Sequence, residues 1–303
     1  MSILDGAGPI LVATDLSERS LRAATRAALL CAELGRGEVE LLAVKEAKLP
    51  DALALVLGST LAAAESMLVG RTLEELRPIS RSLQENHGIR CTSSVRFGRP
   101  GEAIAARAVE SSAVLTVIGM HGGGFFTELF VGNTADELSR ASRTPLLVVR
   151  NAASHAYREV LVPVDFSEDS RHAALEALRI APSAHVTFLH VFDIVLEEQM
   201  RCVNAPAEAV ARYGIRAREA ARAELHRFVG GLGLGDRACA HVVVFGNPGH
   251  AVCDHARTLQ PDLIALGKHG RRPIENLLLG SVTRHALERA GCDVLIVTAP
   301  AAA

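Results

Sequence analysis

The sequence predicts an α/β protein of two tandem, doubly wound sheets, each of five parallel strands in the order 3-2-1-4-5. Three observations carry that expectation. Short apolar runs bounded by turn residues alternate with longer helical stretches, as parallel strands covered on both faces require. The pattern occurs twice within 303 residues, so the chain reads as a tandem duplication. Each copy, about 150 residues long, matches the usual domain size and can bury a core of its own.

In the first copy, strands are expected near Ile10 to Ala13, Val39 to Val44, Cys91 to Arg96, Val114 to Gly119 and Leu146 to Val149. In the second they fall near Val160 to Pro163, Val186 to Val191, Ala240 to Phe245, Leu263 to Leu266 and Val294 to Val297. Helices fill the gaps. Ser17 to Leu34 opens on an Asp/Ser cap region, and Glu208 to Gly230 is a long amphipathic stretch. Pro78 and the run Gly230, Gly231, Leu232, Gly233 are expected to end their helices. Residues 48–90 and 196–235, the longest segments between strands, are expected to be the least rigid. Residues 151–158 read as a small polar linker, giving domains 1–150 and 158–303. Right-handed crossovers make each sheet parallel and leave a crevice at the carboxyl ends of strands 1 and 4, where the order reverses.

Composition narrows the function classes. Lys and Arg number 32 against 34 Asp and Glu, for a net charge of −2, and there are no Trp and only 2 Tyr. Neither a basic patch nor a stacking platform for nucleic acid is in view. The six cysteines, Cys31, Cys91, Cys202, Cys239, Cys253 and Cys292, form no CxxC pair and read as reduced core residues. No charged-then-apolar leader opens the chain, and no apolar run approaches the roughly 20 residues of a membrane span. A cytoplasmic, membrane-free protein is expected.

Chemistry enters with glycines. In the second copy Gly267, Lys268, His269 and Gly270 follow strand 4, and Gly280, Ser281, Val282 and Thr283 open the next helix, a spacing of Gly-x-x-Gly-x9-Gly-Ser. Glycines let backbone approach an anion, and the free amides at a helix start supply donors and the positive dipole end. Gly119, Met120, His121, Gly122 and Gly132, Asn133, Thr134 repeat the spacing in the first copy. Gly98, Arg99, Pro100, Gly101 answers Gly246, Asn247, Pro248, Gly249, and Asp15 before Leu16 and Ser17 answers Asp165 before Phe166 and Ser167. Asp165 closes strand 1 and Gly267 closes strand 4, so both signals converge on one crevice.

With these motifs in this order, the chain resembles the universal stress protein family in its tandem form, over nearly its whole length. The resemblance implies an adenine nucleotide alpha hydrolase-like fold and a site for ATP, or for ADP or AMP, with which a Mg²⁺ held through the phosphates is compatible. Carried over residue by residue, Asp165 resembles the acid that meets ribose and adenine, with Pro163 and Val164 lining that side and Val191 offering its backbone to adenine. Leu266, Gly267, His269 and Gly270 match the loop around ribose and phosphate, while Gly280, Ser281, Val282 and Thr283 match the phosphate-holding turn, with Ser281 also capping its helix. The first copy keeps Thr14, Asp15, Val44, Gly119, His121, Gly122, Gly132 and Thr134. It departs from the pattern at Asn133, at Ala13 in place of Pro163, and at the looser Gly122, Gly123, Gly124. The second copy is the expected site and the first a degenerate one.

Blander readings stand beside these. An Asp before Ser-Glu is an ordinary helix cap, and a single Gly-x-x-Gly is usually a turn. Lys268, Arg271 and Arg272 either neutralise phosphates or are solvated loop charges. His250 and His255 are off the i, i+4 face, so no protein metal ligand is assigned. The apolar strands Leu146 to Val149 and Val294 to Val297 are either covered edges or the seam of an intrachain pseudo-dimer, and whether whole chains also form a homodimer stays open. The expected function is a nucleotide-dependent stress-response module with at most slow ATP hydrolysis and no catalytic residue assigned. The alternatives are an ATP-hydrolysing enzyme of the same fold group and a nucleotide-free scaffold. Neither a Walker Gly-x4-Gly-Lys-Ser/Thr nor a His-x-Gly-His pair is present.

Overall fold

The computed structural model describes residues 8–35, 37–45, 61–120, 137–138, 142, 144–192, 206–235, 237–270 and 279–299. Contacts divide the chain into two units, Met1–Ala156 and Tyr157–Ala303. The first contains β1 (Ile10–Thr14), α1 (Glu18–Glu33), β2 (Glu38–Lys45), α2 (Leu61–His87), β3 (Arg90–Phe97), α3 (Pro100–Glu110), β4 (Leu115–Gly119) and β5 (Leu146–Val149). The second contains β6 (Glu159–Val164), α4 (Glu168–Ile180), β7 (His185–Phe192), α5 (Ala207–Gly230), β8 (Cys239–Phe245), α6 (Pro248–Leu259), β9 (Leu263–Gly267), α7 (Ser281–Arg289) and β10 (Asp293–Val297). Strand order is β3-β2-β1-β4-β5 in the first unit and β8-β7-β6-β9-β10 in the second. Neighbours pair in parallel. The expected order 3-2-1-4-5 is found in both.

The central strands are buried on both faces, with Ile10, Leu11 and Val12 of β1 and Leu161 and Val162 of β6 at 0% exposure. Against them α1 presses Ala23, Ala24 and Ala27, and α4 presses Ala173, Ala174 and Ala177, all buried. Small side chains in these rows let each helix lie close to its sheet, which brings the helix N-terminus down onto the strand ends.

That junction is built identically twice. Asp15 Oδ1 accepts the Ser17 N–H and Asp165 Oδ1 accepts the Ser167 N–H, each at 3.0 Å. The residue between them, Leu16 or Phe166, is held in the left-handed region at φ 68° or 64°, a conformation that costs a non-glycine residue about 1 kcal/mol. Ser17 and Ser167 are the helix caps, each accepting from the N–H three residues on. The aspartates therefore sit upstream of the caps and shape the turn, which corrects the simple reading of Asp as cap.

The Gly-x-Pro-Gly repeat has an equally local cause. Gly98 and Gly246 take φ 140° and 143°, open only to glycine at little cost. Pro100 and Pro248 then start α3 and α6, where a missing N–H costs nothing.

One expectation fails. Pro78 lies inside α2 rather than at its end, leaving the Glu74 carbonyl without its intrahelical donor. Segments 48–90 and 196–235 contain α2 and α5, and their residues 48–60 and 196–205 lie outside the described residues. Tyr157 also differs from a linker residue: it is 1% exposed and its hydroxyl donates to Asp293 Oδ2 of β10 at 2.7 Å.

Candidate functional site

The carboxyl ends of β6, β7 and β9 and the N-termini of α6 and α7 enclose a hollow of about 520 Å³ in the second unit, within the usual size range of small-ligand sites. All the second-copy candidates line it: Pro163, Val164, Asp165, Val191, Leu266, Gly267, His269, Gly270, Gly280, Ser281, Val282 and Thr283. Ser170, Leu189, Pro248, Val252, Leu279, Arg284 and His285 line it too and were missed in the sequence. Periodicity could have found several of them. Leu189 shares a strand face with Val191, and Val252 follows Pro248 at helical spacing. The lining thus divides into an apolar set from β6, β7, α6 and β9 and a polar set around α7.

Asp165 is already engaged on one side. Its Oδ1 accepts the Ser167 N–H at 3.0 Å and the Ser167 hydroxyl at 2.6 Å, while Oδ2 lies 2.9 Å from where a Cβ on Gly270 would stand. The absence of a side chain at Gly270 is what lets the loop settle onto this carboxylate. The Val164 carbonyl is hydrogen-bonded to His190 Nδ1 at 2.7 Å, and Phe166 stacks on that ring at 4.3 Å.

The loop and the turn are tied together, which redistributes the roles expected of their backbone. Lys268 N–H donates to Val297 O at 2.7 Å, His269 N–H to Asp169 Oδ2 at 2.9 Å and Gly280 N–H to Lys268 O at 3.0 Å. Those three amides are committed. The amides left open by this arrangement are those of the first turn of α7, Ser281, Val282 and Thr283, where helix geometry supplies no intrahelical acceptor, with Gly270 N close beside Gly280.

Several side chains are also reassigned. The cap of α7 is Gly280, without a side-chain bond, and Ser281 is the first helical residue. A Cβ on Gly280 would come 3.2 Å from Lys268 O, so a small residue belongs there. Thr283 Oγ1 donates to Gly267 O at 2.9 Å and is buried, so its hydroxyl is already engaged. Gly267 serves packing: a Cβ would stand 2.7 Å from the Asp169 carbonyl carbon. Lys268 is 5% exposed and does not line the hollow. Burial pushes its ammonium below the ordinary lysine range, and the Asp169 charge pulls partly back. Arg271 and Arg272 lie outside the described residues.

Asp169, unremarked in the sequence, organises this corner from the first turn of α4. Besides the His269 N–H it accepts His269 Nδ1–H at 3.0 Å and the Ala299 N–H at 2.7 Å. His269 Nε2 is buried and has no hydrogen-bond partner among the described residues.

In the first unit, Thr14 Oγ1 is taken up by Ser20 Oγ at 2.9 Å and the Leu16 N–H at 3.0 Å. Burial raises the Asp15 carboxyl, but hydrogen bonds from Ser17, Ser20 and its own backbone together outweigh it and leave the group below its usual range. Val44 is half-buried at the end of β2. Gly119 packs on α1 as Gly267 does on α4, a Cβ there meeting Arg19 O at 2.6 Å. His121, Gly122, Gly132, Asn133 and Thr134 lie outside the described residues. Among the described residues no group of three or more His, Cys, Asp or Glu is placed to hold a metal ion, and no helix is long and apolar enough to cross a membrane.

Residues 7–150 and 156–298 each match the model of the universal stress protein family. The chain belongs to the universal stress protein family. A universal stress protein of Methanocaldococcus jannaschii is 28% identical over 156 residues, 50% of this chain and 88% of that protein. One of Mycolicibacterium smegmatis is 28% identical over 236 residues, 72% of each chain. Among solved structures, a universal stress protein of Archaeoglobus fulgidus superposes with a TM-score of 0.70 at 18% identity, covering 96% of this chain and 98% of its own. At that identity the likeness speaks for the fold, that of a tandem universal stress protein.

Proposed function

We propose that the second domain binds an adenine nucleotide, ATP in the first place, and that this universal stress protein acts in the cytoplasm as a nucleotide-dependent stress-response module. The observation that carries the reading is the meeting of three ligand needs in one hollow. Apolar walls from Pro163, Val164, Leu189, Val191 and Leu266 suit a base, the Asp165 carboxylate suits ribose hydroxyls, and the first-turn amides of α7 suit phosphate. Arg284 and His285 add cationic and imidazole groups on the same helix. Mg²⁺ would be held through phosphates and water.

The test is calorimetry on nucleotide-stripped full-length protein with ATP, ADP, AMP and GTP. ATP is expected to bind, and Asp165→Ala to weaken it by about tenfold or more, the equivalent of one charge-assisted hydrogen bond. Absence of heat with every nucleotide at millimolar concentration overturns the reading.

A further inference from the structure

Two imidazoles meet on the side of the hollow where α6 and α7 begin. His285 of α7 lines the hollow, and its ring packs on that of His250, in the first turn of α6, with centres 5.2 Å and planes 71° apart. Gly249 makes room for this contact. A Cβ there would stand 3.1 Å from His285 Cγ, so the last glycine of the repeated Gly-x-Pro-Gly motif seats a ring.

Hydrogen bonding decides which nitrogen is available. His285 Nδ1 lies 3.2 Å from the Ser281 carbonyl oxygen, which only accepts, so in the neutral ring Nδ1 carries the proton and Nε2 the lone pair. The same bond lays the ring back over the first turn of α7, beside its open amides. Nε2 has no hydrogen-bond partner among the described residues and, unlike His269 Nε2, is open to solvent. The His250 ring is exposed, and neither of its nitrogens is hydrogen-bonded among the described residues.

A lone pair and a phosphate oxygen are both electron donors, so neither satisfies the other, and a cation between them satisfies both. Two imidazoles bound through nitrogen to one tetrahedral metal at about 2.0–2.1 Å have ring centres about 5 Å apart, the separation found here. A histidine ligand also commonly donates its other N–H to a backbone carbonyl, as His285 does to Ser281. Resting on the nucleotide reading above, we propose that His250 and His285 bind a divalent transition metal of the Zn²⁺ type jointly with the phosphates of the nucleotide. Two side chains are too few to hold such an ion alone, so the nucleotide completes the site. Imidazole suits Zn²⁺ and Ni²⁺ and is a poor ligand for Mg²⁺, which stays on phosphate and water. Arg284, exposed on α7 and lining the hollow, meets remaining phosphate charge.

The first domain fills the same seat differently. A Cβ on Gly101 would stand 2.7 Å from Glu137 Cβ, so Glu137 takes the place of His285, and Glu102 holds the position of His250. Both positions differ between the copies, and together. Carboxylates suit harder cations and repel phosphate, so the imidazole site belongs to the second domain. Along the chain His250 has His255 as its neighbour on the same helix; the fold pairs it instead with a residue of the next helix.

The experiment uses untagged, nucleotide-stripped full-length protein and Co²⁺, a stand-in for Zn²⁺ whose visible absorption strengthens when its ligands become tetrahedral. Wild type is expected to develop that absorption with ATP but not with adenosine, which lacks phosphate, and Co²⁺ with ATP alone is not. In calorimetry the preformed zinc complex of ATP is expected to bind about tenfold or more tighter than the magnesium complex. His250→Gln and His285→Gln should each abolish the absorption and bring the zinc complex to the affinity of the magnesium complex, while His255→Gln changes neither. His250 is exposed and His285 partly so, and the magnesium complex still binding each variant certifies its fold. Binding of the magnesium complex with no zinc preference and no cobalt absorption overturns the inference and spares the nucleotide reading. Absorption that persists in both variants overturns it as well. Absence of binding by every ATP complex to wild type removes both.

Discussion

At Gly267 the close approach of strand to helix leaves no room for a methyl group. A Cβ would meet the Asp169 carbonyl carbon at 2.7 Å, its Cβ at 2.8 Å and the Ser170 N at 2.9 Å, mostly backbone that cannot swing aside. Gly267→Ala is therefore expected to destabilise the second domain by about 1–3 kcal/mol, the usual scale of overpacking, as read by urea denaturation. An unchanged midpoint would mean that β9 and α4 separate freely. This glycine was visible in the sequence, but its reason was not: spacing marked it as part of a phosphate loop, whereas contact shows it seating a helix. Asp169 shows the opposite failure. It reads as one more acidic residue in a first turn, and its imidazole partner is 100 positions away, a separation that no local pattern carries.

Among elements, the contact of α5 with β8 is sensitive to acid. His241 Nδ1 lies 3.1 Å from His226 Nδ1, and its Nε2 lies 3.4 Å from Cys239 Sγ. Burial, and then the charge of His226, lower the His241 pKa in the folded protein. The unfolded chain thus holds that proton more readily than the folded one. The stability this ring contributes is complete above the ordinary histidine value of about 6.5 and is lost as pH falls through the lower folded value. The thermal midpoint of the second domain should drop between pH 7.5 and pH 5, and drop less in His241→Gln. Equal drops would leave the pair without a role. Strand positions and order were legible in the sequence because apolar runs between helical stretches leave few arrangements. The course of α2 through Pro78 was not, since its packing retains a helix that the local rule would stop.

For the whole molecule, duplication supplies two scaffolds, and the described hollow belongs to the second. The turn at Asp15 matches that at Asp165 in bond length and backbone angle, so this turn did not diverge. Divergence lies in side chains: Thr14 turns its hydroxyl inward, and Arg19 stands where Asp169 stands in the other copy. One ATP per chain is the expected stoichiometry. Asp15→Ala should leave ATP binding unchanged where Asp165→Ala weakens it, and equal losses in the two variants would assign equal weight to both copies.

The turn that opens α7 hangs from the sheet by a short relay. Gly280 holds Lys268, Thr283 holds Gly267, and Lys268 in turn holds Val297 at the end of β10. A nucleotide seated at the start of α7, as proposed above, would through this tether bear on the closing strand of its domain.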